Sequence, residues 1–133
     1  MEKEKIKKFT FQRRVYLLMD MDHQFSIEFN DDGTCKVESM CYARYDNEIL
    51  NQTTTKKIYK RLEKIEIEKW KRNYEPDAII MDGEEWSIKL IYENGKRKYR
   101  SGINAYPENF KELEKFITYV QKQIILPKMI KKE

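Results

Sequence analysis

The sequence predicts an α+β domain: a five-stranded antiparallel sheet in the order β-β-β-α-β-β-α, with two helices packed on one face. Three observations carry that expectation. The dipeptides Asp32-Gly33 and Asn94-Gly95 each sit between runs that alternate apolar and polar residues, the short-range signature of an antiparallel hairpin. Each hairpin is followed by a segment whose apolar residues recur at helical spacing. A sheet with one apolar face and two amphipathic helices buries that face by placing both helices on it, leaving the other face to solvent.

The elements follow in order. Residues 9–18 predict the first strand, with Phe9, Phe11, Val15 and Leu17 on a side that Arg13 interrupts. Residues 24–30 predict the second, with Phe25, Ile27 and Phe29 opposite Ser26 and Glu28. The Asp31-Asp32-Gly33 turn then opens a third strand over residues 34–45, carrying Cys35, Val37, Cys41 and Ala43 on one face. Thr53, Thr54 and Thr55 are hydroxyl residues suited to an N-cap, and Ile58, Leu62 and Ile65 share one face of a helix over residues 53–65. Residues 65–70 alternate, which predicts a short extended exit, and residues 71–82 predict an irregular stretch closed by Asp82-Gly83.

The second hairpin is read with a two-residue type I′ turn at Asn94-Gly95. That register pairs Ile91 with Lys98, Leu90 with Tyr99 and Lys89 with Arg100. It turns Tyr99 and Ile103 inward beside Trp86, Ile88 and Leu90, and gathers Lys89, Lys96, Lys98 and Arg100 on the outer side. Gly102 breaks the second strand. Pro107 suits a first helical position, Phe110, Leu113, Ile117, Val120 and Ile124 form the helix stripe, and Pro127 is expected to end the helix. One domain over residues 9–126 results, with a basic flexible N-terminal tail at residues 1–8 and a basic C-terminal tail at residues 127–133.

Composition narrows the function classes. The chain has 133 residues, 40% of them hydrophobic, and only four Gly and three Pro, which favours a packed core over disorder despite 38% charged residues. No apolar run reaches the ~18 residues of a membrane span, and the first residues lack the apolar stretch of a signal peptide, so the expected location is cytoplasmic. Cys35 and Cys41 lie six apart on one expected strand, roughly 20 Å between Cα atoms, too far for a disulfide. The net charge of +4 comes from the two termini, each contributing +2, while the body alternates in blocks: −6 over residues 20–48, +5 over 56–72, −5 over 73–93 and +4 over 94–100. Blocks of alternating sign neutralise one another across a fold rather than building the single-signed field that steers a polyanion.

Enzyme signatures are missing: the chain has one histidine and no P-loop, GxGxxG, GxSxG or HExxH pattern. Asp20, Asp22 and His23 offer two carboxylates and an imidazole to a divalent cation, but in sequence they read first as a polar connector between strands. No metal or cofactor is expected, and Asp31 and Asp32 read as turn residues. The basic residues Lys89, Lys96, Lys98 and Arg100 are candidates for partner binding. Trp70 and Tyr74, beside the irregular stretch, are candidates for an aromatic contact whose commoner role is to plug a core. With Tyr99 turned inward, stacking against nucleic acid would lack an aromatic on the basic face.

From Trp70 onward the pattern Trp70-x3-Tyr74, Asp82-Gly83-x2-Trp86, Tyr92-x2-Gly95 and Gly102-x-Asn104-Ala105-Tyr106-Pro107-x-Asn109-Phe110 resembles a group of small uncharacterised α+β proteins of low-GC bacteria and their mobile elements. The resemblance covers about a third of the chain and implies a compact α+β domain with no stated activity. Mobile-element genes of this size include inhibitors of host defence systems. The resulting expectation is a non-enzymatic protein–protein interaction module, such as a phage or mobile-element accessory factor or a defence inhibitor. The alternatives are a nucleic-acid binder using the outer face of the 85–103 hairpin and a small metal-dependent hydrolase.

Overall fold

The structure is a computed structural model that describes residues 4–15, 22–41, 44–76 and 83–130, with backbone only for 126–130. Seven strands form one sheet: β1 (Ile6–Val15), β2 (His23–Phe29), β3 (Cys35–Cys41), β4 (Arg44–Leu50), β5 (Asn73–Tyr74), β6 (Glu84–Tyr92) and β7 (Arg97–Ile103), in spatial order β4-β3-β2-β1-β6-β7-β5. All neighbours are antiparallel except β5 and β7. The fold is therefore α+β, with a mixed sheet of seven strands in place of five antiparallel ones. The first extra strand, β4, escapes a hydrophobicity reading because it lies at an edge, with Arg44, Asp46 and Glu48 facing the helices and its apolar Tyr45 and Ile49 turned to solvent. The second, β5, is only two residues long.

Helix α1 (Gln52–Ile65) and helix α2 (Phe110–Ile130) follow the two hairpin systems. The cap of α1 is Asn51, whose side chain accepts from the Thr54 N–H at 2.9 Å, rather than one of the threonines. Thr55 is buried and bonds back to Leu50 O. The expected extended exit is instead a left-handed Glu66 (φ 56°) followed by a 3-10 turn at Ile67–Lys69. This swings Ile67 and Trp70 into the core. Helix α2 runs on past Pro127 to Ile130, so the proline forgoes one backbone bond without stopping the helix. At the other end β1 begins at Ile6, so residues 6–8 are strand and not tail.

Phe9, Phe11, Phe25, Ile27, Cys35, Val37, Trp86, Ile88 and Leu90 form the helix-side floor of the sheet. Ile58 and Leu62 of α1 and Leu113, Phe116, Val120 and Ile124 of α2 roof it. Both cysteines are free, and burial pushes their thiol pKa values up. Leu17, Asp20, Ala43 and Asp82 lie outside the described residues. Among those described, no helix is long and apolar enough to cross a membrane.

The second hairpin departs from the expected register by one residue. Gly95 N–H bonds to Tyr92 O and Tyr92 N–H to Lys96 O, both at 2.9 Å, which encloses three loop residues. Gly95 takes the left-handed φ of 86° while Asn94 does not, whereas a type I′ turn requires it at both central positions. The observed pairs are Ile91 with Arg97, Leu90 with Lys98, Lys89 with Tyr99 and Ile88 with Arg100. Because strand side chains alternate, this one-residue shift moves every residue of β7 to the opposite face.

Candidate interaction surface

That shift dismantles the expected basic stripe. Only Lys89 stays on the helix-free face, where its Nζ lies 5.9 Å from the centre of the Tyr99 ring. Lys96 and Lys98 line a depression of about 410 Å³ on the helix side with Ile6, Tyr59, Glu63 and Tyr92. Lys98 Nζ there sits 5.4 Å from the Tyr92 ring. Arg100 reaches across to the connection after α1 and donates to Glu68 O at 2.9 Å and Ile67 O at 3.3 Å. It ties two elements together.

Trp70 and Tyr74 are likewise structural. Trp70 is buried, its indole N–H donates to Asn109 Oδ1 at 2.8 Å, and its ring meets Trp86 edge-on at 5.9 Å. Tyr74 packs 6.0 Å from Trp86, and its hydroxyl accepts from the Lys71 N–H. Of the residues that carried the resemblance, Trp86, Asn104, Ala105 and Asn109 build the corner between β7 and α2. Trp86 Nε1 donates to Ala105 O at 2.9 Å, Asn104 Oδ1 accepts from Glu84 N–H at 2.8 Å, and Asn109 Nδ2 donates to Ile65 O at 2.9 Å. The pattern therefore encodes a way of folding.

Arg13, which interrupts the apolar side of β1, is explained by a polar cluster under α2. Its guanidinium donates to both oxygens of Glu84 and, at 3.0 Å, to Glu114, and it lies over the Phe110 ring. Tyr106 donates to the same Glu84 carboxylate. Burial alone would lower the Arg13 pKa, but the two glutamates outweigh it and hold the charge. Burial would likewise raise Glu84, yet the bonds from Arg13 and Tyr106 keep it below the ordinary value. Burial and the adjacent carboxylate push Tyr106 up to about 12.

His23 faces the helices next to this cluster. Its Nε2 receives the Gln121 amide at 3.0 Å and lies 3.3 Å from Ser39 Oγ. Burial, and then the charge of Arg13, lower its pKa. Asp22 accepts from the Val15 N–H at 3.2 Å. Among the described residues no group of three His, Cys, Asp or Glu is placed to hold a metal ion. With a folded-state pKa below its unfolded value, His23 contributes its stability above about pH 6.5, and that contribution is lost as pH falls through the lower value. As the only histidine, it makes the wild type lose stability to urea as pH falls below about 6.5, and His23→Gln flattens that dependence. An unchanged slope in the variant would assign the effect to another group.

The helix-free face carries the features left over. Alternation and register place Lys8, Thr10, Gln12, Gln24, Ser26, Glu38, Met40, Tyr45, Ile49, Ser87, Lys89, Tyr99 and Ile103 on it. Of the six large hydrophobic side chains exposed among the described residues, five are here: Met40, Tyr45, Ile49, Tyr99 and Ile103. They sit at the two flanks. Met40 pairs with Tyr45 across β3 and β4, while Tyr99 pairs with Lys89 across β7 and β6. The centre is a floor of hydroxyl and amide side chains. Two shallow depressions lie on this face, one of about 290 Å³ walled by Met40 and Tyr45, the other of about 410 Å³ walled by Tyr99, Lys89 and Arg72.

Sequence reasoning missed Met40, Tyr45 and Ile49. Alternation from the buried Cys35 and Val37 already sends Met40 outward, but Tyr45 and Ile49 needed β4 to be recognised. No protein-family model matches the chain, and no curated protein is similar to it.

Proposed function

We propose that the chain is a non-enzymatic protein-binding module that contacts its partner through the helix-free face of the sheet. The role fits an accessory factor, or an inhibitor of host defence, encoded by a phage or mobile element. The observation that carries this reading is the concentration of Met40, Tyr45, Ile49, Tyr99 and Ile103 on one open face. Met40, Tyr45 and Ile49 at one flank and Tyr99 and Ile103 at the other offer a partner two apolar contacts on either side of a polar floor. Affinity capture from the native host is expected to recover a stoichiometric protein partner. The double variant Ile49→Asp/Tyr99→Asp is expected to lose it with an unchanged melting temperature, while Lys57→Glu on the exposed side of α1 retains it. A partner that survives the double variant would remove the open face as the site.

Nucleic-acid binding is the second reading, and one observation favours it: Tyr99 shares its face with Lys89, so an aromatic and a cation lie side by side as stacking on a single strand requires. It rests on fewer residues, since Lys98 and Arg100 are turned away. A retarded single-stranded probe, with affinity falling steeply in salt and lost in Lys89→Glu/Tyr99→Ala, would establish it. Absence of retardation at low salt would dismiss it.

A further inference from the structure

We infer that the groove between α1 and α2 binds single-stranded nucleic acid, with phosphates along Lys111, Lys115 and Lys122 and one base stacked on the guanidinium of Arg61. The site lies on the helix layer, away from the open face, and does not depend on the protein-binding reading. The groove has a volume of about 610 Å³ and is walled by Arg61 of α1 and by Lys111, Lys115, Thr118, Tyr119 and Lys122 of α2. The three lysines, all exposed, recur at intervals of four and seven residues, which keeps them on one side of the helix. They span roughly 16 Å of it.

The positive charge is not cancelled in place. Glu114, the one acid of the groove wall, is bonded to Arg13 at 3.0 Å, and Glu112 pairs with Lys115 at 3.6 Å. Among the described residues, Arg61, Lys111 and Lys122 are in no ion pair. Arg61 is stacked on Tyr119 instead, its guanidinium carbon 3.7 Å from the ring centre. Tyr119 packs against the core, so the pair is a platform anchored from below, and Arg61 is exposed above it. A guanidinium plane offers a flat surface to a base, and its N–H fork and the lysine ammonium groups donate to phosphate. A basic groove that tracks the backbone beside a stacking platform is how single strands are held. A duplex keeps its bases inside the stack, out of reach of Arg61. An acidic protein segment would need apolar pockets as anchors, and among the described residues no Leu, Ile, Val, Met or Phe lines this groove.

The test uses the full chain and a fluorescein-labelled oligothymidylate of about twelve nucleotides. Fluorescence anisotropy at low salt is expected to show binding, with a logarithmic salt slope of about −2 to −3 from three or four neutralised phosphates. Lys111→Glu/Lys122→Glu is expected to weaken it about tenfold or more at an unchanged melting temperature. Arg61→Lys keeps the charge and removes the platform, so the affinity is expected to fall about fivefold or more while the salt slope stays the same. An abasic strand of equal length is expected to bind the wild type about as weakly as the intact strand binds Arg61→Lys. No binding at low salt, an affinity unmoved by the double lysine variant, or full affinity in Arg61→Lys would overturn the inference. So would tighter binding of a duplex, or of a polyglutamate peptide of equal charge, since the occupant would then be a different one. Binding lost in Lys89→Glu/Tyr99→Ala but kept in Lys111→Glu/Lys122→Glu would overturn it by placing the strand on the open face.

Discussion

Gly102→Ala is expected to lower the stability of the domain by about 3 kcal/mol, from overpacking and a weakened buried hydrogen bond. A Cβ at this position would stand 2.3 Å from Trp86 Nε1 and 2.4 Å from Ala105 O, the donor and acceptor of one hydrogen bond. Neither can step aside. Trp86 has no exposed surface and is enclosed by Trp70, Tyr74 and Phe110, while Ala105 belongs to the backbone that delivers the chain into α2. At roughly 3–4 °C per kcal/mol for a domain of this size, the melting temperature falls by about 10 °C. Chemical unfolding checks the loss, with an unchanged denaturant slope if the fold is retained. A loss below about 0.5 kcal/mol would mean that the corner is free to relax. The absence of a side chain at 102 is thus a packing requirement, although from sequence the residue reads as a strand breaker.

Arg13→Ala is expected to cost about 2 kcal/mol at neutral pH, below the range for fully buried pairs because Arg13 and Glu84 retain 27% and 19% of their side-chain exposure. The cost arises from Glu84 and Glu114, which lose their shared cation. It is pH-dependent with a defined sign. Glu84 is held below the ordinary carboxylate value, so its stabilising contribution is complete above about pH 4.5 and is lost as pH falls through the folded-state value. The variant lacks that contribution at every pH, so the gap between variant and wild type closes as pH falls below about 4.5. Urea unfolding across that range measures it. Arg13→Met separates charge from packing on Phe110, because it keeps most of the apolar stem. Recovery of full stability by Met at pH 7 would assign the role of Arg13 to packing and not to the ion pair.

The two expected losses fall on residues of opposite legibility. Gly102 and Trp86 stood inside a recognisable pattern, yet nothing in that pattern stated that it builds the β7–α2 corner. Arg13 looked like a defect in an amphipathic strand, and becomes intelligible only when Glu84 and Glu114, 71 and 101 residues away, arrive beside it. His23 was visible as the single titratable group near neutrality, but Ser39 and Gln121, which occupy its ring nitrogen, come from a neighbouring strand and from α2. Sequence spacing carries no information about such pairings.

From the sequence alone came the helix and strand types, the buried stripes of β2, β6, α1 and α2, and the placement of both helices on one face. These follow from hydrophobic periodicity, a local property that survives in any register. Tertiary structure alone decided the number of strands, the split of the basic residues between two faces, and the exposure of Tyr45, Ile49 and Tyr99. β4 is held by pairing to β3 rather than by its own apolar content. The face of every β7 residue depends on whether the turn encloses two residues or three. The polarity of a strand was therefore readable along the chain, while its side of the sheet was settled by the backbone geometry of Gly95.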